Sequence, residues 1–137
     1  MSDTKIQGRN MIRYLLWYWL PPLIWMGLLF LVSAQPDPPG PRQPLLSEIY
    51  AIIGHVIAYG LLAFWWYRAL RSVPSLSGDG QVRTHVARIA FLVTVLYAAS
   101  DEFHQSFVPG RDASLPDLIV DAAGALILIS WRRGKHR

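Results

Sequence analysis

The feature that most constrains this chain is an apolar run of 21 residues, Tyr14 to Ala34, which contains no charged side chain. A helix of about 20 residues crosses the hydrocarbon core of a bilayer. The run therefore predicts a first membrane span over residues 12–34. Pro21 and Pro22 interrupt it, and because each proline removes a backbone donor, we expect a kink there. A cleaved signal peptide is the competing interpretation, although the run is longer than a usual signal core.

The composition also favours a membrane protein. Hydrophobic residues make up 53% of the chain and charged residues only 16%, whereas a soluble domain has about 25% charged residues. The net charge of +4 is divided among short clusters between apolar runs, which is typical of membrane loops and does not indicate nucleic-acid binding. The absence of cysteine excludes disulfides and thiolate metal sites.

Three further spans are predicted, at about residues 49–70, 86–107 and 115–131. The proline-rich segment 35–44 and the segment 71–81, which contains serine, proline and glycine, are interpreted as loops. With 137 residues, the chain is predicted to be one all-α integral membrane domain, a four-helix bundle. Small residues on the spans are expected to let helices approach closely, among them Gly54, Gly60 and Gly124.

The distribution of charge predicts the orientation, because lysine and arginine are enriched in cytoplasmic loops. Of the 13 basic residues, all except Arg42 and Arg111 lie in or at the edges of the N-terminal segment, the loop after the second span and the C-terminal segment. Both termini are therefore predicted to be cytoplasmic. The acids concentrate on the opposite, outer side: Asp37, Glu48, Asp101, Glu102, Asp112, Asp117 and Asp121.

A polar stretch, Ser100 to Gly124, stands out from the apolar sequence around it. In the predicted orientation, the second, third and fourth spans bring ionisable side chains to one depth near the outer surface. Residues three or four apart are neighbours on a helix, so three sets share a face: His55 with Tyr59, Asp101 with His104 and Gln105, and Asp117 with Asp121. We therefore predict that three helix ends form one polar pocket below the outer boundary.

Two interpretations of this pocket stay open. Polar groups inside a membrane are costly and pair with one another, so the cluster is either a network that only holds the helices together or a functional site. Histidines, carboxylates and an arginine support acid–base chemistry and anion binding. A metal site is compatible with the same side chains, although no H-E-x-x-H and no G-x-S-x-G motif occurs.

If the pocket is a functional site, its residues are predicted to have separate roles. Arg111, next to Gly110, would hold a phosphate or carboxylate, with Tyr59 and Gln105 as further substrate-binding residues. The remaining candidates, proposed as catalytic, would handle protons, orient the groups that do, or bind a cation: His55, Asp101, Glu102, His104, Asp117 and Asp121. The sequence identifies neither a cofactor nor a metal.

The segment DEFHQSFVPGRDASLPDLIVDAAGAL resembles the signature of the VanZ-like family of small bacterial membrane proteins. The shared pattern is an acidic pair, His-Gln, a Phe-Val-Pro-Gly-Arg turn, a later Asp, and an Asp or Asn four residues on before Gly-Ala. Upstream, His55 and Tyr59 match an H-x-x-x-Y pattern, and Ser33 to Pro36 match a polar end of the first span. The resemblance covers residues 12–131. The chain departs from it at 51–54, where the family commonly has a basic residue before the histidine.

The resemblance implies a multi-pass protein of the bacterial inner membrane that acts in the cell envelope. The founding member is associated with low-level resistance to the antibiotic teicoplanin. Three functions are compatible with the sequence: binding or modification of an anionic, lipid-linked envelope substrate at the outer face; non-catalytic modulation of envelope access or teicoplanin resistance; and proton-coupled transport, for which four short spans would need to oligomerise. Whether the protein is an enzyme stays open. The expected partners are the bilayer and a lipid-linked substrate, not nucleic acid.

Overall fold

A computed structural model of the protein describes residues 10–36, 40–111 and 113–134, without the side chain of Arg133. The described residues form four helices and contain no strand, as predicted for an all-α chain. The helices are α1 (Asn10–Ser33), α2 (Pro44–Arg71), α3 (Gly80–Gln105) and α4 (Leu115–Gly134). A short 3-10 turn, Pro74–Leu76, lies between α2 and α3.

Three of these helices are long and apolar enough to cross a membrane, namely α1, α2 and α3. The prediction of four spans is thus supported for three. The fourth helix has 20 residues and does not meet the same combined criterion of length, hydropathy and charge. It carries two acids in its first half and two arginines near its end. Its packing nevertheless makes it an integral part of the bundle.

Two helices begin earlier than predicted. Helix α2 starts at Pro44 and not near residue 49, because proline fits the first turn of a helix, where its missing N–H is not needed. Helix α3 starts at Gly80 and not near residue 86. There the side chain of Asp79 accepts hydrogen bonds from the backbone N–H groups of Gln81 and Val82, which caps the helix.

The helices alternate in direction and pack around a small core. Helices α2 and α4 run parallel and form the most extensive pair; α3 packs antiparallel to both, and α1 lies mainly against α2. One apolar cluster fills the bundle away from the polar side chains: Ala63, Tyr67, Val86, Ala87, Ala90, Ala125 and Ile129. A second cluster, formed by Tyr59, Leu62 and Ala98, lies next to the candidate site.

Two glycines allow the close approach of α2 and α4. A Cβ atom built on Gly124 would lie 2.5 Å from the carbonyl oxygen of Val56, and one on Gly60 would lie 2.9 Å from Leu128. The expected role of these two glycines is therefore confirmed. The expectation for Gly54 is wrong: a Cβ there would meet nothing within 4 Å, so this glycine does not mediate helix packing.

The two prolines of α1 leave a backbone acceptor that another helix uses. Residues Leu15–Trp19 form a π-helical turn that ends two residues before Pro21. The carbonyl of Trp17 would accept from residue 21 in an α-helix or from residue 22 in a π-helix, and both are prolines without an N–H. The guanidinium of Arg68 donates to that carbonyl at 2.6 Å, which ties α1 to α2.

Most acidic and most basic side chains of the described residues lie at opposite ends of the bundle; the exceptions are Asp79 at the start of α3 and Arg42 and Arg111 beside the cavity. We call the end that contains Ser33, His55, Asp101 and Asp121 the polar end. The described arginines of the other end lie where α1 and α3 begin and where α2 and α4 end. This separation agrees with the predicted charge asymmetry, while the orientation in a membrane stays a prediction. Some charges that were used for it lie outside the described residues: Lys5, Arg9, Asp37, Asp112, Lys135 and Arg137.

Candidate functional site

Asp101 is the centre of a hydrogen-bond network at the polar end. Its Oδ1 accepts from the hydroxyl of Ser33 on α1 at 2.6 Å. Its Oδ2 accepts from the hydroxyl of Tyr59 on α2 at 2.9 Å and from the amide of Gln105, one turn further along α3, at 3.0 Å. Three helices therefore meet at one carboxylate, which is only 5% exposed. The donors compensate for its loss of water, as a buried carboxylate requires.

A tight turn brings Arg111 to the edge of this network. The N–H of Arg111 donates to the carbonyl of Val108, and Gly110 between them has a φ of +80°. These are the features of a type II turn, in which proline and glycine occupy the two central positions. The guanidinium then donates to Gln105 Oε1 at 2.8 Å. The amide of Gln105 thus links the cation of the turn to the buried Asp101.

His55 and Asp121 form a second polar contact, between α2 and α4. The Nδ1 atom of His55 lies 2.8 Å from Oδ1 of Asp121, which is 1% exposed. The second carboxylate oxygen, Oδ2, is buried and has no hydrogen-bond partner among the described residues. With Asp121 ionised, Nδ1–H is the donor. A carboxylate that orients an imidazole in this way is an arrangement suited to proton transfer through the other ring nitrogen.

The two parts of the site adjoin each other on α2. The rings of His55 and Tyr59 are stacked one helical turn apart, with centroids 6.0 Å from each other. Tyr59 belongs to the Asp101 network, and His55 to the contact with Asp121. Glu102 follows Asp101 on α3, and Asp117 lies one turn before Asp121 on α4. The structure thus brings the following candidate residues to the same end of the bundle: His55, Tyr59, Asp101, Glu102, Gln105, Arg111, Asp117 and Asp121.

Glu102 and Asp117 also have local roles around the start of α4. The carboxylate of Glu102 accepts from the backbone N–H of Ser114 at 2.7 Å, and the hydroxyl of Ser114 accepts from the N–H of Asp117 at 3.3 Å. The buried Glu102 therefore fixes the position at which α4 enters the bundle. Glu102, which was predicted to be catalytic, therefore makes a structural contact.

His104 is placed differently from the other candidates. Its ring packs against Phe30 of α1 with the centroids 4.4 Å apart, and its buried Nδ1 atom has no hydrogen-bond partner among the described residues. It does not line the cavity described below. Asp101 and Gln105 hydrogen-bond to each other, whereas His104 does not join that network and packs against Phe30.

A cavity of about 930 Å³ opens at the polar end between α1 and α2. This volume lies in the range of small-molecule sites. Its polar lining includes residues of both parts of the site: Ser33, His55, Tyr59, Asp101, Gln105 and Arg111. Two further charged residues, Arg42 and Glu48, line it as well. Sequence reasoning used Arg42 only for orientation and did not place Glu48 in the pocket.

The described residues offer no evident metal centre. Among residues 10–36, 40–111 and 113–134, no group of three or more histidine, aspartate or glutamate side chains is arranged to hold a metal ion. The carboxylates are instead occupied by hydroxyl, amide, imidazole and backbone donors. These partners fit a hydrogen-bonded site better than a coordination sphere.

Comparison with known families identifies the relationship suggested by the polar stretch. The family model described as VanZ/LLP1 matches residues 17–131, which is most of the chain. The chain belongs to the VanZ/LLP1 family. The match contains the whole cavity lining, from Leu29 to Arg111. No curated protein and no solved structure matched the chain.

For this VanZ/LLP1 protein, the structure adds side chains that sequence reasoning missed. Ser33 was noted only as part of a polar helix end, yet it donates to Asp101. Ser114 was not singled out, yet its backbone N–H and hydroxyl organise the entry to α4. The available signal was weak, because a serine at a helix end is also a common cap or turn residue. Within α1, the Ser33 hydroxyl lies 3.1 Å from the carbonyl oxygen of Phe30, and only the packing of α1 against α3 brings it to Asp101.

Proposed function

We propose that this VanZ/LLP1 membrane protein binds an anionic, lipid-linked molecule of the bacterial cell envelope at the outer leaflet. The negatively charged group would be held by Arg111 in the cavity at the polar end. The observation that carries the proposal is that Gln105 holds this guanidinium beside the cavity. A planar guanidinium presents several donors in a fixed geometry that matches phosphate or carboxylate.

The acids of the cavity do not exclude an anion. Asp101 accepts hydrogen bonds from Ser33, Tyr59 and Gln105, so much of its charge is compensated inside the protein. Gln105 uses its amide N–H for Asp101 and its carbonyl for Arg111. The amide therefore separates the carboxylate from the cation and leaves the arginine available to a ligand.

The proposal gives His55 a role in proton transfer to or from the bound molecule. His55 lines the cavity, and its Nδ1 is held by Asp121. The imidazole is therefore fixed in orientation with one ring nitrogen left for a ligand. In this scheme Asp121 is a positioning residue, while Arg111 and Tyr59 contact the ligand.

The alternative is that the polar network only holds the bundle together. The specific observation in its favour is that Asp101 connects α1, α2 and α3, and that Glu102 fixes the entry to α4. Interhelical hydrogen bonds of this kind stabilise membrane helices. In that case the protein would modulate the envelope or teicoplanin sensitivity without a ligand in the cavity.

The test is complementation of a deletion strain, read out by untargeted profiling of envelope lipids and muropeptides. We expect wild-type protein to restore the profile and Arg111→Gln to fail at an unchanged membrane level. The matched control is Arg88→Gln, because Arg88 is an exposed arginine on α3 outside the cavity. Restoration of the profile by Arg111→Gln would contradict the proposal. Loss of folded Arg111→Gln protein from the membrane would favour the structural alternative.

A further inference from the structure

The cavity has an apolar wall in addition to its polar end. This wall is formed by Leu29 and Val32 on α1 and by Ala51, Gly54 and Ala58 on α2. The α2 residues are three and four positions apart, so they share one face of the helix. They are also small, which leaves the space between α1 and α2 open along that face. The polar end of the same cavity is occupied by Arg111 and the Asp101 network.

The apolar wall lies on the outer surface of the bundle. Every residue from 44 to 54 on α2 is exposed, and Val32 on α1 is 51% exposed. Both helices are apolar enough to cross a membrane, so their exposed apolar surface would face lipid chains. The gap between them therefore connects the polar end of the cavity with the hydrocarbon region.

We propose that this gap is a lateral groove for the hydrocarbon chain of an anionic lipid with a terminal phosphate group, with the phosphate held between Arg42 and Arg111. The inference rests on the proposed function and specifies its substrate class. The chain lies over Gly54, between α1 and α2, and the headgroup points to the polar end. Gly54 lines the cavity and a Cβ atom there meets nothing within 4 Å, so a long side chain at this position would extend into the groove.

Charge complementarity supports an anionic headgroup over a neutral or cationic one. Arg42 and Arg111 both line the cavity, one from the loop before α2 and the other from the turn after α3. The acids that line it are Glu48, which is exposed, and Asp101, which accepts from three donors. Two arginines on different loops can contact opposite sides of one phosphate.

Photocrosslinking of the full-length protein in nanodiscs tests the groove. The nanodiscs consist of phosphatidylcholine, whose phosphate is esterified to choline and is therefore not terminal, and contain, as probe, phosphatidic acid with a diazirine group in one acyl chain. We expect the probe to label α1 and α2 residues that line the cavity, as mapped by peptide mass spectrometry. Gly54→Leu should reduce this labelling about tenfold, because the new side chain fills the groove. Gly27→Leu is the matched control, since Gly27 is also open and helical but lies outside the cavity.

The headgroup contacts are tested in the same nanodiscs. Arg42→Gln combined with Arg111→Gln should reduce labelling about tenfold, the loss expected when charged hydrogen bonds are removed. A diazirine-bearing diacylglycerol, which lacks the phosphate, should label the groove of the wild-type protein weakly. Inorganic phosphate should compete poorly with the lipid, because it does not occupy the groove.

The outcomes separate the groove from the proposed function. Equal labelling of Gly54→Leu and Gly27→Leu would overturn the groove while the anion site stands. The same holds if inorganic phosphate competes with the probe as effectively as unlabelled phosphatidic acid does. Labelling of wild-type protein that is the same for phosphatidic acid and diacylglycerol, and unchanged by the arginine substitutions, would overturn both. If Gly54→Leu loses thermal stability relative to Gly27→Leu, Ala51→Leu replaces it, because Ala51 is exposed and lines the same cavity. Unreduced labelling of a stable Ala51→Leu variant would overturn the groove.

Discussion

The Nδ1 atom of His55 lies 2.8 Å from Oδ1 of Asp121, so a histidine of α2 is held by a buried carboxylate of α4. Next to His55, Val56 of α2 packs against Gly124 of α4. About one turn further along α2, Gly60 packs against Leu128 of α4. The polar contact and the glycine contacts thus lie on the same helix pair. Close packing fixes the distance between the two side chains, and the hydrogen bond fixes the orientation of the ring.

Removal of Asp121 should therefore affect stability through His55. We expect Asp121→Ala and His55→Ala each to lower the free energy of unfolding, with a coupling of about 0.5–3 kcal/mol in a double-mutant cycle. Unfolding in mixed micelles by SDS titration measures it. The control cycle pairs His55→Ala with Asp117→Ala and should show a smaller coupling, because among the described residues the His55 ring contacts the carboxylate of Asp121 and forms no hydrogen bond with Asp117. Additive effects of His55→Ala and Asp121→Ala would contradict the contact.

Gly124→Ala should separate α2 from α4. The added Cβ would lie 2.5 Å from the Val56 carbonyl oxygen and 2.8 Å from its Cα, and backbone atoms cannot move aside as a flexible side chain can. Overpacking of this kind costs about 1–3 kcal/mol. The same SDS titration detects it. Gly54→Ala is the control and should not destabilise, because its Cβ enters open space.

Tyr59→Phe should separate a functional role of the Asp101 network from a purely structural one. The change removes one donor to Asp101 and costs about 1 kcal/mol in stability. The matched control is Tyr97→Phe, which removes the hydrogen bond to the Met26 carbonyl and likewise loosens contact between two helices. We expect only Tyr59→Phe to alter the envelope profile at equal membrane levels. Equal phenotypes for the two variants would favour a structural role.

Arg68→Lys should weaken the attachment of α1 even though the charge is kept. The guanidinium donates to the Trp17 carbonyl and lies 4.5 Å from the centroid of the Tyr18 ring and 5.6 Å from that of Trp65. An ammonium lacks the planar group that makes these contacts together. We expect faster backbone hydrogen exchange in residues 17–20 by mass spectrometry. Arg88→Lys, at an exposed position, should leave the exchange unchanged.

The orientation in the membrane can be tested with single cysteines, because the chain has none of its own. Ser106→Cys lies just after α3 at the polar end, and Ser75→Cys lies in the short turn at the other end. Both serines are exposed. A membrane-impermeant maleimide applied to intact spheroplasts should label Ser106→Cys, and should label Ser75→Cys only after lysis. The reverse pattern would contradict the predicted orientation.

The order of the helices and the polar end could be read from the sequence, because both depend on local pattern. The sequence directly shows apolar runs that are long enough to cross a bilayer. It also shows the prolines and glycines that end these runs and the separation of acidic from basic residues. Helix starts were less accurate: Pro44 and Asp79 begin α2 and α3 in segments that also look like loops.

The partners of each polar side chain were decided only by the tertiary structure. His104 and Gln105 lie three and four residues after Asp101, and since successive helix residues are about 100° apart, they fall on opposite sides of it. Which of the two joins Asp101 depends on how α3 is rotated against its neighbours. In the observed rotation, Gln105 donates a hydrogen bond to Asp101, and His104 packs against Phe30. Spacing along one helix determines which side chains are neighbours, but the packing of the other helices determines what they face.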